Sequence, residues 1–482
     1  MHPSAPTQRE FLLVTLLLVG LLFFFSGSSR STKSSYAVDT PHTLISSTTG
    51  HGLPELPESA RVSWGSGSVP ISKIVAHVPG WTIIDKMYVL NGTVYLVTSE
   101  PELFPDRKFM TSTGIDIANE PEQVRARLPT DKELRIISPA EAKTLFGTGA
   151  NRVQGVSWLV NDPRQFITHY YHWSAELFFG FWRAYSSLDP LIPASGKTSL
   201  PPPRRFIFTH LDAGHWRDYA SMNQWVLRTT FPSISMEFSA DWDDRAAMGV
   251  PFVFDRVLFA DRAAAMNGEN CLRTQRTAAE PTQRTAAEPF TLPGSPNWWS
   301  TVRNSVIEFS GLNSTVGQGT RGNPVITYIS RQDWGRRMLI QADHDRLVEE
   351  LYKLRDDFGY EVNVVSMDKL SRVEQLKLAG RTTVMLGVHG NGLTSLLWMK
   401  PSPRSTVMEF FYPGGFAHDY EYTTRALGMV HYGYWGDSAF TRPDVPPVAY
   451  PPGFQGNEIP IDGRVVAQII RERLTLSDEA DD

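Results

Sequence analysis

The residues best placed to do chemistry lie between positions 382 and 399, which read TTVMLGVHGNGLTSLLWM. An apolar run, Val384-Met385-Leu386, breaks into Gly387-Val388-His389-Gly390-Asn391-Gly392 and resumes as a segment able to continue as a helix. A strand feeding a helix through a glycine-rich turn aims unpaired backbone N–H groups and the positive end of a helix dipole at one point. A phosphate or diphosphate can sit there. His389 and Asn391 add side-chain donors. The plainer reading is a tight turn that needs glycine for its backbone angles, and this stretch alone does not separate the two.

A second group falls in residues 162–185, DPRQFITHYYHWSAELFFGFWRAY, whose aromatic density marks a buried helix. On a helix His172 and Glu176 are four apart and His169 is three before His172, so all three share a face. That spacing suits a catalytic base and the carboxylate that orients it. It equally suits a core histidine bonded to Glu176. A third group, Asp241-Trp242-Asp243-Asp244, puts Asp241 and Asp243 at a spacing that can hold a divalent metal on a sugar nucleotide. Solvated acidic clusters are common, so a metal is not expected there. The single cysteine, Cys271, excludes an intrachain disulfide framework and a cysteine-based zinc cluster.

The elements that must position these groups follow from the patterning. Lys86–Leu90 and residues 94–98 read as two strands of a hairpin turning at Asn91-Gly92. Strands are predicted over 204–209 and 252–259, and a helix over 216–230. Residues 274–289 are two identical copies of Thr-Gln-Arg-Thr-Ala-Ala-Glu-Pro. With nothing apolar larger than alanine, they are predicted to be a disordered insertion. From 297 onward helices and strands alternate: helix 298–309, strand 325–329 ending at Ser330-Arg331, and amphipathic helix 345–358 with Leu347, Leu351, Leu354 and Phe358 on one stripe. Strand 362–365 follows, then a helix opened by the capping pair Ser371 and Glu374, the glycine-rich stretch, and strand 406–411. Such alternation implies a parallel sheet, in which ligands gather beyond the carboxyl ends of the strands. Arg331, His389 and Glu409 each fall at or near such an end, which favours the nucleotide reading of the turn.

At the amino end, residues 11–25 are apolar but for Thr15 and Gly20. A spanning helix needs about 20 residues (~17–25), so with Ser26 and Gly27 the run sits at the lower limit. It is read as a signal anchor in preference to a cleaved signal peptide, with residues 1–10 cytosolic and 28–70 a Ser/Thr/Gly/Pro-rich stalk. Two glycosylation acceptors follow, Asn91 and Asn313. The length, 482 residues, calls for two domains of roughly 150–250 residues, taken as 71–296 on the acceptor side and 297–465 for the nucleotide, with 466–482 a helix and acidic tail. A net charge of −5 gives no reason to expect nucleic-acid binding.

Taken in order, these segments resemble glycosyltransferase family 61. The resemblance rests on Tyr171-His172-Trp173-Ser174-Ala175-Glu176, Phe254-Asp255-Arg256-Val257-Leu258, Thr327-Tyr328-Ile329-Ser330-Arg331, Glu374-Gln375, the Gly387–Leu393 motif and Glu409-Phe410-Phe411-Tyr412-Pro413, and it covers roughly residues 161–436. Asn391 stands where the family motif usually has alanine. The resemblance implies an α/β GT-B fold, two Rossmann-like domains facing a cleft, and inverting transfer from a nucleotide sugar. UDP-GlcNAc or UDP-xylose is the expected donor, and a glycan or glycoprotein hydroxyl the acceptor. It further implies donor contacts from Arg331, His389, Gly390, Asn391, Gly392 and Glu409, with His172 or Glu176 taking the acceptor proton. No cofactor or metal is required on this reading. The expected location is the Golgi or endoplasmic reticulum membrane, single-pass, with the catalytic part lumenal. The competing expectation is an inactive lumenal glycan-binding protein of the same fold.

Overall fold

The computed structural model describes residues 59–118, 120–269, 285–312 and 323–476. The apolar run 11–25, the first octapeptide copy, the glycosylation acceptor Asn313 and the acidic tail lie outside them. Among the described residues no helix is long and apolar enough to cross a membrane.

Two sheets organise the chain. The first holds nine strands: β1 (Arg61–Ser63), β2 (Lys73–Val78), β3 (Trp81–Leu90), β4 (Thr93–Val97), β5 (Leu134–Ile137), β6 (Gly149–Val160), β7 (Arg205–Phe208), β8 (Ser235–Glu237) and β9 (Phe252–Ala260). Its main order is β5-β4-β3-β9-β6-β7-β8, with β1 beside β6 and β2 beside β3. It is mixed: β3 runs antiparallel to β2, β4 and β9, while β9, β6, β7 and β8 are mutually parallel. The β3–β4 hairpin pairs Leu90 with Thr93, and Asn91 and Gly92 both take positive φ, the two-residue turn the sequence announces.

Several expectations need correcting here. The stalk does not extend to residue 70, because Arg61–Ser63 pairs with β6 and Val69 is buried. The helix expected over 216–230 is confined to Asn223–Thr230. Asp218 accepts from the backbone N–H groups of Met222 and Asn223, which ties the preceding residues into a loop. The second octapeptide copy is not a disordered insertion throughout. Its Ala286, Ala287 and Glu288 are buried within the 3-10 turn Thr285–Thr291, and Phe290 packs on Phe179 and Trp298.

The second sheet comprises β10 (Val325–Ile329), β11 (Glu361–Val365), β12 (Val384–Val388), β13 (Thr406–Phe410), β14 (Val430–Trp435) and β15 (Ser438–Phe440), in the order β11-β10-β12-β13-β14-β15. All pairs are parallel except β14–β15. β10, β12 and β13 are buried along their whole length, which is why they read as apolar runs. The crossover helix Gln341–Phe358 buries Leu347, Leu351 and Leu354 and ends at Gly359 in the left-handed region. Phe358 is half-exposed rather than on the buried stripe and stacks on Tyr360. Ser371 and Glu374 form the expected reciprocal cap.

Connection direction reverses between β10 and β12: from β10 the chain crosses to β11 on one side, then returns to lay β12 on the other. A ligand crevice opens beyond the carboxyl ends of two strands at such a switch point. The helix Phe179–Ser186 and the pair Trp298–Trp299 fill the space between the sheets. Trp182 Nε1 donates to the Trp298 carbonyl at 2.6 Å and Trp299 Nε1 to the Leu397 carbonyl at 2.9 Å.

Candidate active site

The turn after β12 lies at the switch point. It continues as a tight 3-10 helix, Asn391–Trp398, where an α-helix was open to expectation. Close approach sets its glycines. A β-carbon on Gly392 would come within 2.9 Å of Ile329 on β10, and one on Gly390 within 2.9 Å of Arg331 Nη1. The loop that follows β10 brings Arg331, Arg336 and Arg337 to this turn, and Arg337 bonds Gln455 and the His389 carbonyl. Arg331 packs over Trp334. Burial, and then the positive charge of Arg337, lowers the Arg331 guanidinium from its ordinary value. Among the described residues no carboxylate pairs with Arg331, and its buried Nε has no hydrogen-bond partner. Three cations in a seven-residue loop, one half-buried without a counter-ion, form a place prepared for an anion.

His389 Nδ1 lies 2.5 Å from Glu409 Oε1, and His431 Nε2 lies 2.9 Å from Glu409 Oε2. Glu409 has no exposed surface. It was expected among the donor contacts; both its oxygens are held by imidazoles behind the turn. Asp419, at the start of the helix Asp419–Ala426, places Oδ2 3.9 Å from His389 Nε2.

From the other sheet's side comes the helix that carries His172. Residues His172–Phe178 form a wide π-helical turn, a feature frequent at functional sites. His172 Nδ1 and Glu176 Oε2 are 2.8 Å apart. The same oxygen accepts from Arg262, which also bonds Asp162. Burial alone would raise the Glu176 carboxyl, but its pairing with His172 and with the Arg262 guanidinium holds it below its ordinary value. Glu176 is buried behind His172, and it is His172 that lines the cleft. His169 lies with its ring centre 4.8 Å from that of His172. Burial, and then the neighbouring His172, lowers it to about 4, so it is neutral at physiological pH.

Arg331, His389, Asn391, His172, His169, Asp419 and Tyr219 line one cavity of about 420 Å³. A smaller one of about 200 Å³ adjoins it, walled by Ile329, Ser330, Met367, Leu370, Gln375 and Gly392, and shares Arg331, Trp334, Tyr219 and Asn391 with the first. Asp241 and Asp243 line neither. Asp241 accepts from the Phe238 N–H at the start of the helix Ser239–Ala247, and Asp243 is exposed. Among the described residues no group of three or more His, Cys, Asp or Glu is arranged to hold a metal ion.

The family model for Glycosyltransferase 61 matches residues 160–408, just over half of the chain, and spans both His172 and the turn after β12. The chain belongs to glycosyltransferase family 61. It is thus a glycosyltransferase, an enzyme class that moves a sugar from a nucleotide-sugar donor to a glycan acceptor and releases the nucleotide. No curated protein matches the chain. Several residues of this transferase's cavity were missed in the sequence: Tyr219, Trp334, Arg336, Arg337, Asp419 and Tyr420. The two further arginines had a legible signal, lying with Arg331 in one loop at a strand's carboxyl end. Tyr219 reaches the cleft from a loop that carries no periodicity, and Asp419 from the first residue of a helix the sequence reading did not include.

Proposed function

We propose that this enzyme is an inverting transferase that moves a sugar, GlcNAc or xylose, from its UDP donor to a hydroxyl of a glycan or glycoprotein. The observation that carries the reading is the unneutralised Arg331 at the β10/β12 switch point, against the Gly390 turn. The smaller, more apolar cavity suits the nucleoside, and the arginine-lined one suits the diphosphate and both sugars. The two sheets with the cleft between them are read as a GT-B arrangement, the first sheet being a mixed variant.

Single displacement makes three demands. Charge builds on the departing UDP, and Arg331 with the turn's backbone N–H groups meets it with fixed donors. The acceptor hydroxyl loses a proton, and His172 takes it at Nε2 while Glu176 holds Nδ1. The donor must be held in line, which falls to His389, set by Glu409. With three arginines at the diphosphate no metal is required. Glu176 and Glu409 are positioning residues on this reading.

The apolar run 11–25 supports an anchor in the Golgi or endoplasmic reticulum membrane, with residues beyond it lumenal. Asn91, exposed at the tip of its hairpin, is then an available glycosylation site. UDP sugars are expected to raise the melting temperature of the purified protein, and transfer to survive EDTA. Arg331→Ala and His389→Ala are expected to abolish transfer in folded protein. Stabilisation by glycans alone, or metal-reversible loss with EDTA, overturns the assignment.

A further inference from the structure

Asn391 was expected to contact the donor, yet its side chain is committed elsewhere. Its Oδ1 is 3.2 Å from the Tyr171 backbone nitrogen and 3.3 Å from Thr394 Oγ1, while Nδ2 is 2.7 Å from the Tyr219 hydroxyl. Because a backbone N–H can only donate, the atom facing Tyr171 must be the amide oxygen, which fixes Nδ2 toward Tyr219. Tyr171 immediately precedes His172, at the amino end of the helix, where N–H groups lack an intrahelical partner. A residue 220 positions away thus caps the helix that carries His172. Alanine, usual at this point of the family motif, has no atom to do so.

The same helix end is fastened twice more to the second sheet's elements. Trp398 Nε1 donates to the Tyr170 hydroxyl at 2.8 Å, and the Tyr171 hydroxyl donates to the Asp419 carbonyl at 2.9 Å. These two links hold the halves together without Asn391. Asn391 joins the donor turn, the His172 helix and Tyr219, the last of which is 63% exposed in the cleft. We infer that Asn391 is a positioning residue, a clasp that fixes His172 and Tyr219 relative to the donor turn, and not a phosphate ligand. The inference rests on the donor reading above for its kinetic consequence only.

The test compares wild type, Asn391→Ala, Tyr219→Phe and the double variant. In Asn391→Ala, UDP affinity by calorimetry and donor KM are expected to stay within about twofold. Loss of the clasp is expected to lower kcat about tenfold, the scale of one hydrogen bond. Tyr219→Phe lowers kcat by less, and adding it to Asn391→Ala costs nothing further, because the two residues share one link. A tenfold weaker UDP affinity with unchanged kcat makes Asn391 a donor ligand and overturns the proposal; so does an unchanged kcat with unchanged affinity. A ligand-free readout accompanies these. The ring NMR signals of His172, assigned by their loss in His172→Gln, shift in Asn391→Ala if the clasp sets that ring and stay fixed if it does not. Should the wild type bind no UDP, the donor reading falls while the spectral comparison still decides the clasp.

Discussion

Gly390 and Arg331 touch so closely that the smallest side chain on the glycine would displace the guanidinium. A β-carbon added there would lie 2.9 Å from Nη1, below ordinary van der Waals contact. Arg331 is the flexible partner, so Gly390→Ala should fold and push the arginine aside. Losing or misplacing a charge-assisted phosphate contact costs about 1.5–3 kcal/mol. UDP affinity by calorimetry should fall at least tenfold, and the melting temperature should drop as well, because Gly390 at φ 157° and ψ 172° holds a backbone conformation that a side chain strains by about 1–3 kcal/mol.

Glu409 serves two buried histidines from inside β13. Glu409→Leu leaves both imidazoles facing a hydrocarbon chain, and each orphaned buried polar group costs about 1–3 kcal/mol. Urea unfolding should show a loss of that order or its double, along with loss of transfer. A variant as stable as wild type would mean that solvent re-enters the site and replaces the carboxylate.

Arg262 is set directly against both buried carboxylates, Glu176 and Asp162. Arg262→Met keeps the bulk and removes the charge. Breaking a buried ion pair from one side typically costs about 3–5 kcal/mol. The variant should unfold correspondingly earlier in urea at pH 7, and lowering the pH should recover part of the loss as the stranded carboxylates take up protons.

Acid stability carries a separate signature. Burial lowers His77, and also His169, to about 4 from the ordinary value of 6.5. Between those values the unfolded chain binds the proton and the folded one does not, so this contribution to stability is full above pH 6.5 and is lost as the pH falls toward 4. At about 1.36 kcal/mol per unit, each histidine costs about 2 kcal/mol at pH 5. Asp261, raised by burial to about 6, acts in the opposite sense over much of the same range. The check is therefore a difference: unfolding free energy measured at pH 7 and pH 5 should drop less in His77→Gln than in wild type, by about that amount.

The sequence was most readable where burial was two-sided. β10 and β12 declare themselves because a strand covered on both faces has little room for polar residues, and Arg331 and His389 then follow at their ends. The mixed first sheet was harder: β9 contributes Asp255 and Arg256, which form ion pairs with Arg152 and Asp85 on neighbouring strands, so its polarity does not mark a surface. Glu409 carried a clue in its setting, a carboxylate within an otherwise apolar strand, which requires partners. His389 was in view, but His431 becomes one only through the parallel pairing of β13 with β14. Asn391 was legible as a departure and not as a clasp, because two of its three partners, Tyr171 and Tyr219, come from distant parts of the chain.

The octapeptide repeat has a consequence of its own. The buried seat under Gly268 and beside Phe179 takes Ala286-Ala287-Glu288-Pro289, and residues 278–281 spell the same four letters. Excising eight residues, 274–281, or inserting a third copy leaves the same four letters, Ala-Ala-Glu-Pro, to occupy that seat. The segment can therefore gain or lose whole units in replication while the folded enzyme keeps the same lodger, so copy number should vary with little effect on melting temperature, whereas Ala287→Arg should lower it sharply.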